Sequence, residues 1–131
     1  MSVHSQIDLY NKKPAEGVKP AARIHDGWGV PKDVLGTLQA LFNKGRKSPQ
    51  VIANGYVQLS ETGFAKAVIN RDLAPDVLSY HYAVDLTTTP WSVKVTKCPY
   101  HRVIDNGDGT GCVESKVQPA RTRTLKLAAS N

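Results

Sequence analysis

The chain offers little that would staple, anchor or export it. Cys98 and Cys112 are its only cysteines, too few for a disulfide framework, so free thiols in a reducing compartment are expected. No apolar run approaches the length of a membrane span, and the opening segment MSVHSQIDLYNKKPAEG lacks the apolar centre of a signal peptide. A soluble, unexported protein without a membrane partner is expected, cytoplasmic or, if structural, part of a virion. Signatures of dinucleotide sites, P-loops and serine hydrolases are missing as well. Nothing in the sequence assembles a nucleophile, a base and an oxyanion site, so the expected role is non-enzymatic and needs no cofactor.

What is present suits one hydrophobic core. At 131 residues, 40% hydrophobic and 21% charged, the chain is long enough to fold without metal or disulfide staples. Seventeen Lys and Arg against eleven Asp and Glu leave a formal charge of +6, which favours an anionic partner such as nucleic acid. The excess is shared between both halves, so charge alone does not locate a binding face.

Residues 1–29 carry Lys12, Lys13, Pro14, Gly17, Lys19, Pro20, Arg23, Gly27 and Gly29 without a sustained period. That is the character of an extended N-terminal arm, which docks through Ile7, Leu9, Tyr10, Ile24 and Trp28 or frays. Residues 30–131 are then expected to form a single α+β domain. Pro31 suits a first helical position and Asp33 the positive end of the helix dipole, while Val34, Leu35, Leu38, Leu41 and Phe42 make one apolar stripe. This helix should end near Asn43 or Lys44, before Gly45 and Ser48-Pro49. Asn54-Gly55 between the short apolar stretches of 51–59 predicts a small hairpin. Ser60 as an N-cap, with Phe64, Ala67 and Val68 on one face, predicts a second helix to about Asn70, and Pro75 breaks the chain after it.

From Val77 the period changes to two. Leu78, Tyr80, Tyr82, Val84 and Leu86 alternate with Ser79, His81, Ala83 and Asp85; beyond the turn at 87–90, Trp91, Val93 and Val95 alternate with Ser92, Lys94 and Thr96. Further strands are expected from Tyr100 to Ile104, Cys112 to Val117 and Arg121 to Leu127. The economical arrangement is an antiparallel β-meander of about four strands with two helices packed on one face.

Three short patterns invite chemistry. Pro99-Tyr100-His101-Arg102-Val103-Ile104 resembles the Pro-Cys-His-Arg-Val active-site signature of the alkylguanine DNA alkyltransferases and of their inactive alkyltransferase-like relatives, in which an aromatic residue replaces the cysteine. The resemblance covers six residues and implies a non-reactive binder of damaged DNA, with Tyr100 at the nucleophile position beside His101 and Arg102. It departs from the family in that Cys98 lies two residues too early and strands, not a helix-turn-helix, precede the signature. Cys98, His101 and Cys112 supply three potential zinc ligands without a fourth, and positions 98 and 101 project to opposite faces of a regular strand. A hairpin centred on Asp105 would set Cys98 opposite Cys112. Asp105-Asn106-Gly107-Asp108-Gly109-Thr110 has calcium-loop letters, but its spacing puts Ile104 at the first ligand position, and a Gly-rich turn explains it.

The basic groups remain. Lys44, Arg46 and Lys47 cluster at the end of the first helix; Arg121 and Arg123 share a strand face, which Lys94 could join if the register permits. Such a face suits phosphate contact. The leading expectation is a binding module that holds nucleic acid, DNA or RNA, through phosphates, using Lys44, Arg46, Lys47, Lys94, Arg121 and Arg123 with the arm. The alternative is a self-assembling structural protein of the virion-component kind, a homo-oligomer in which the arm wraps a neighbour and an edge strand pairs between copies. An alkyltransferase-like lesion binder or a small zinc protein is a third reading.

Overall fold

The computed structural model describes residues 3–60, 65–68, 78–98, 101–105, 112–117 and 121–129, apart from the side chains of 68, 101–105 and 112–117. Along the chain these form β1 (Ser5–Tyr10), β2 (Ala22–Asp26), α1 (Pro31–Asn43), α2 (Pro49–Leu59), β3 (Ala65–Val68), β4 (Tyr80–Asp85), β5 (Ser92–Lys97), β6 (His101–Asp105), β7 (Cys112–Val117) and β8 (Arg121–Lys126). Six strands make one mixed sheet in the order β3-β2-β1-β4-β5-β8, and β6 pairs with β7 in a second, two-stranded sheet.

The class is α+β, but the sheet is not a four-stranded antiparallel meander. Two strands lie in the segment expected to be an arm. β1 pairs antiparallel with β2 and parallel with β4, which puts it in the middle of the sheet. The reason is visible in its alternation: Ile7 and Leu9 face one side and are completely buried, as is Ile24 from β2. At the other end, β5 takes β8 as its neighbour, so β6 and β7 leave the main sheet instead of continuing it.

Two local expectations reverse. Asn54-Gly55 is not a hairpin turn but the middle of α2, because Ile52, Ala53 and Tyr56 fall at helical spacing and are buried together. Pro49 opens that helix at its first turn, and Gly55 lets α1 approach: a Cβ there would stand 2.7 Å from Leu41 Cδ2. Ser60 closes α2, its N–H donating to the Tyr56 carbonyl, instead of capping a new helix. The expected helix after it is replaced within the described residues by β3, which pairs with β2. The break at Pro75 lies outside the described residues.

α1 forms as its sequence dictates, with Val34, Leu38 and Leu41 buried and Lys44 as its C-cap. Both helices cover one face of the sheet, where they close a core with Ile7, Leu9, Ile24, Tyr82, Val84, Val93 and Val95. α1 lies toward the β5–β8 side: the Phe42 ring meets Trp91 edge-on at 5.3 Å, and Gln39 both donates to the Ala128 carbonyl and accepts from its N–H. That reciprocal pair holds the end of β8 as a neighbouring strand would.

Because β1 is interior, deleting residues 1–22 is expected to abolish cooperative unfolding in a circular-dichroism melt; a truncated chain that still melts cooperatively would contradict the placement of Ile7 and Leu9. Leu38→Ala, which empties a fully buried site facing the sheet, should lower stability in denaturant titration by about 2–5 kcal/mol.

Candidate nucleic-acid interface

Register decides which basic side chains meet. In an antiparallel pair, opposed residues share a face, so Lys97 opposite Arg121 and Val95 opposite Arg123 put both arginines and Lys97 on the helix-covered face. Lys94, opposite Thr124, lies on the other face and does not join them. The expectation that Lys94 shares the arginines' face fails because the register between β5 and β8 pairs it with a threonine. Lys97, absent from that expectation, takes its place.

The three cations project beyond the cover of α1. Tyr80, Lys97 and Arg121 stand side by side across β4, β5 and β8, at the end of the sheet where α1 begins with Pro31. Since the helix starts only there, the row stays open to solvent. It forms a groove of about 250 Å³ lined by Pro31, Tyr80, Val95, Lys97, Arg121, Thr122 and Arg123. Among the described residues no carboxylate lines it, and Lys97, Arg121 and Arg123 enter no ion pair. Val95 makes a buried floor, and half-buried Tyr80 offers a ring stacked against Tyr82 at 6.2 Å. The Tyr82 hydroxyl donates to the Gly29 carbonyl; burial pushes its pKa upward against the opposing pull of Arg123, so it stays protonated.

The other basic residues that the sequence singled out lie apart. Lys44, Arg46 and Lys47 are exposed between α1 and α2, about 20 Å from Pro31 for a helix of this length. Lys12, Lys13 and Lys19 occupy the connection between β1 and β2, at the end of the sheet opposite the groove. Arg23 is committed elsewhere, its Nε donating to Asp8 Oδ1 at 2.8 Å.

That last bond belongs to a polar cluster that no sequence pattern announces. On the sheet face away from the helices, Asp8 is only 3% exposed and accepts hydrogen bonds from Arg23, from Gln6 Nε2 and, at 2.9 Å, from His81 Nε2. Burial alone would raise the Asp8 pKa; the hydrogen bonds and charges of His81 and Arg23 outweigh it and hold the carboxyl below its ordinary 3.8. The residues come from β1, β2 and β4, so only the sheet register could have revealed the cluster. It supplies a buried acid and its partners but no nucleophile bonded to His81 among the described residues.

Of the cysteine and histidine pattern, Cys98 is a half-buried free thiol whose pKa burial pushes up. The β6–β7 register sets Cys112 opposite Asp105, not Cys98, because β6 runs through Asp105 instead of turning there. No group of three or more His, Cys, Asp or Glu side chains suited to a metal occurs among the described residues. Pro99, Tyr100 and the calcium-like letters after Asp105 lie outside the described residues, as do the side chains of His101, Arg102 and Cys112. No helix among the described residues is long and apolar enough to cross a membrane. Comparison with protein-family models, with curated proteins and with solved structures finds no match.

The Asp8 cluster sets a pH dependence. With its pKa depressed in the fold, Asp8 contributes stability that is fully present above the unfolded value of about 3.9 and is lost as pH falls through the folded one. Asp8→Asn should cost about 2–4 kcal/mol at neutral pH, less than for a fully buried pair because Arg23 keeps some water, and should flatten the decline of stability below pH about 4. Urea titrations of both proteins across that range check it.

Proposed function

We propose that the protein is a non-enzymatic module that binds single-stranded nucleic acid along the groove at the β5–β8 edge. The observation that carries this reading is the convergence of Lys97, Arg121 and Arg123 around Tyr80 in a groove that no carboxylate of the described residues lines. Guanidinium forks suit phosphate oxygens, and the positive end of α1, opening at Pro31, adds its dipole to theirs. Tyr80 gives a base a face to stack on, an interaction worth about 1–3 kcal/mol and available to any base. Duplex DNA, whose bases are already stacked, would gain nothing from it.

A second reading is favoured by one feature. β8 is an edge strand, so its outer side could pair with the same strand of another copy and extend the sheet through a twofold axis. Arg121, Arg123 and Lys126 oppose this, since cations on an edge strand discourage such pairing. With β1 and β2 inside the sheet, wrapping of a neighbour by residues 1–29 no longer supports assembly.

Fluorescence-anisotropy titration of oligothymidylate at several salt concentrations is the test. Arg121→Gln with Arg123→Gln should weaken binding and lower the salt slope by about 0.7 for each phosphate no longer engaged, while Lys94→Gln, on the opposite face, leaves the slope unchanged. Both arginines are exposed, so stability should move by no more than about 0.5 kcal/mol each. An unchanged slope in the double variant, or a molar mass in light scattering that falls on substitution while affinity holds, would favour assembly instead.

A further inference from the structure

A second cavity lies at the same end of the sheet. Asp26, Ser5, Tyr80, Lys97 and Arg121 form one transverse row across β2, β1, β4, β5 and β8. The chain at 27–30 crosses over the middle of this row, pressed so close that a Cβ on Gly29 would fall 1.6 Å from Ser5 Oγ, an approach only glycine permits. On one side of that crossing is the basic groove. On the other is a cavity of about 370 Å³ whose walls include Asp26, Trp28, Lys32, Asp33, Tyr56 and Leu59. Pro31 borders the first and Lys32 the second, so the two flank the start of α1. From Asp26 to Arg121 is four strand spacings, about 19 Å.

Its lining is selective. Trp28 is 37% exposed, an unusual position for so large an aromatic ring and a ready stacking surface. Asp26 is already engaged, taking the Trp28 N–H on Oδ1 at 2.9 Å and the Tyr56 hydroxyl on Oδ2 at 2.7 Å, which fixes the cavity wall. Asp33, by contrast, is exposed and its carboxylate has no hydrogen bond or ion pair among the described residues. Its acceptor-only carboxylate can take two adjacent donors, and the donor-only ammonium of Lys32, which lines the same cavity, can serve an acceptor. Guanine alone presents two such donors on neighbouring atoms, N1–H and the N2 amino group, next to the O6 acceptor; uracil and thymine offer a single donor, and adenine and cytosine carry theirs on one exocyclic nitrogen. A simple cation would meet Lys32 as a like charge.

We infer that this cavity holds a guanine base, stacked on Trp28 and read by Asp33 and Lys32, from the strand whose phosphates lie on Lys97, Arg121 and Arg123. The inference rests on the nucleic-acid reading and names its base preference. Trp91 is only 5% exposed, so quenching of tryptophan fluorescence by a stacking base reports on Trp28. Titration of the full chain with guanosine, adenosine, cytidine and uridine monophosphates should give an affinity for the guanine nucleotide at least about tenfold above the others, in line with one bidentate pairing. Asp33→Asn should remove that preference, and Asp33→Glu should restore part of it. Arg121→Gln with Arg123→Gln should leave quenching by the unphosphorylated nucleoside guanosine unchanged while weakening an oligothymidylate that carries one internal guanine. Equal affinity for all four nucleotides, or a guanine preference that survives Asp33→Asn, overturns the inference. The phosphate reading fails separately, by an unchanged salt slope on plain oligothymidylate in the arginine double variant.

Discussion

The parallel pairing of β1 with β4 is the interaction on which the rest of the sheet depends. It joins β2 and β3 on one side to β5 and β8 on the other, and it sets Ser5 beside Tyr80 and Ile7 beside Tyr82. Parallel neighbours need a long crossover, and here β2, both helices and β3 lie between them in the chain. Closing that loop costs entropy before any contact offsets it, and the compensation is the apolar face of Ile7, Leu9, Tyr82 and Val84, all fully buried under the helices. One register then fixes two surfaces. On the covered face it sets Ser5 beside Tyr80, from which the β4–β5 and β5–β8 registers carry the row on to Lys97 and Arg121; on the other it brings Asp8, Gln6 and His81 together.

What was legible in the sequence was periodicity uninterrupted by turn residues. The stripe of α1 and the alternation of β4, β5 and β8 each carried their own signal, and each element formed where its pattern ran. α2 was obscured because Asn-Gly is a strong hairpin signal, although Ile52, Ala53 and Tyr56 also had helical spacing and Pro49 suited a helix start as well as a stop. β1 was obscured by length: in six residues only Ile7 and Leu9 announce the buried face, and the glycines and prolines after it suggest a loose arm. Arg121 and Arg123 were readable as same-face neighbours from parity alone. Their partner was not, because a one-residue change in register exchanges Lys94 for Lys97.

Charge number is less informative here than charge company. Asp8 absorbs Arg23, and the cations of the helix–helix turn and of the β1–β2 connection are dispersed at the far end of the sheet. Groups separated by more than about 8 Å are largely screened from one another at physiological salt, so an even surface excess of +6 makes no focused field. The groove differs because three cations share a small concavity with a buried apolar floor and, among the described residues, no acid to neutralise them. The cavity beyond the 27–30 crossing differs in being lined by charges of both signs, Asp26, Asp33 and Lys32, together with the Trp28 ring.

The tether between Gln39 and Ala128 bears on the order in which the sheet comes together during synthesis. β1 and β2 leave the ribosome before the other strands and can pair as soon as both are out, whereas β8 follows them all and has its sheet partner, β5, and its helical clasp, Gln39, already waiting. Until that strand docks, Lys97 stands without Arg121 and Arg123, and the groove that they line together does not exist.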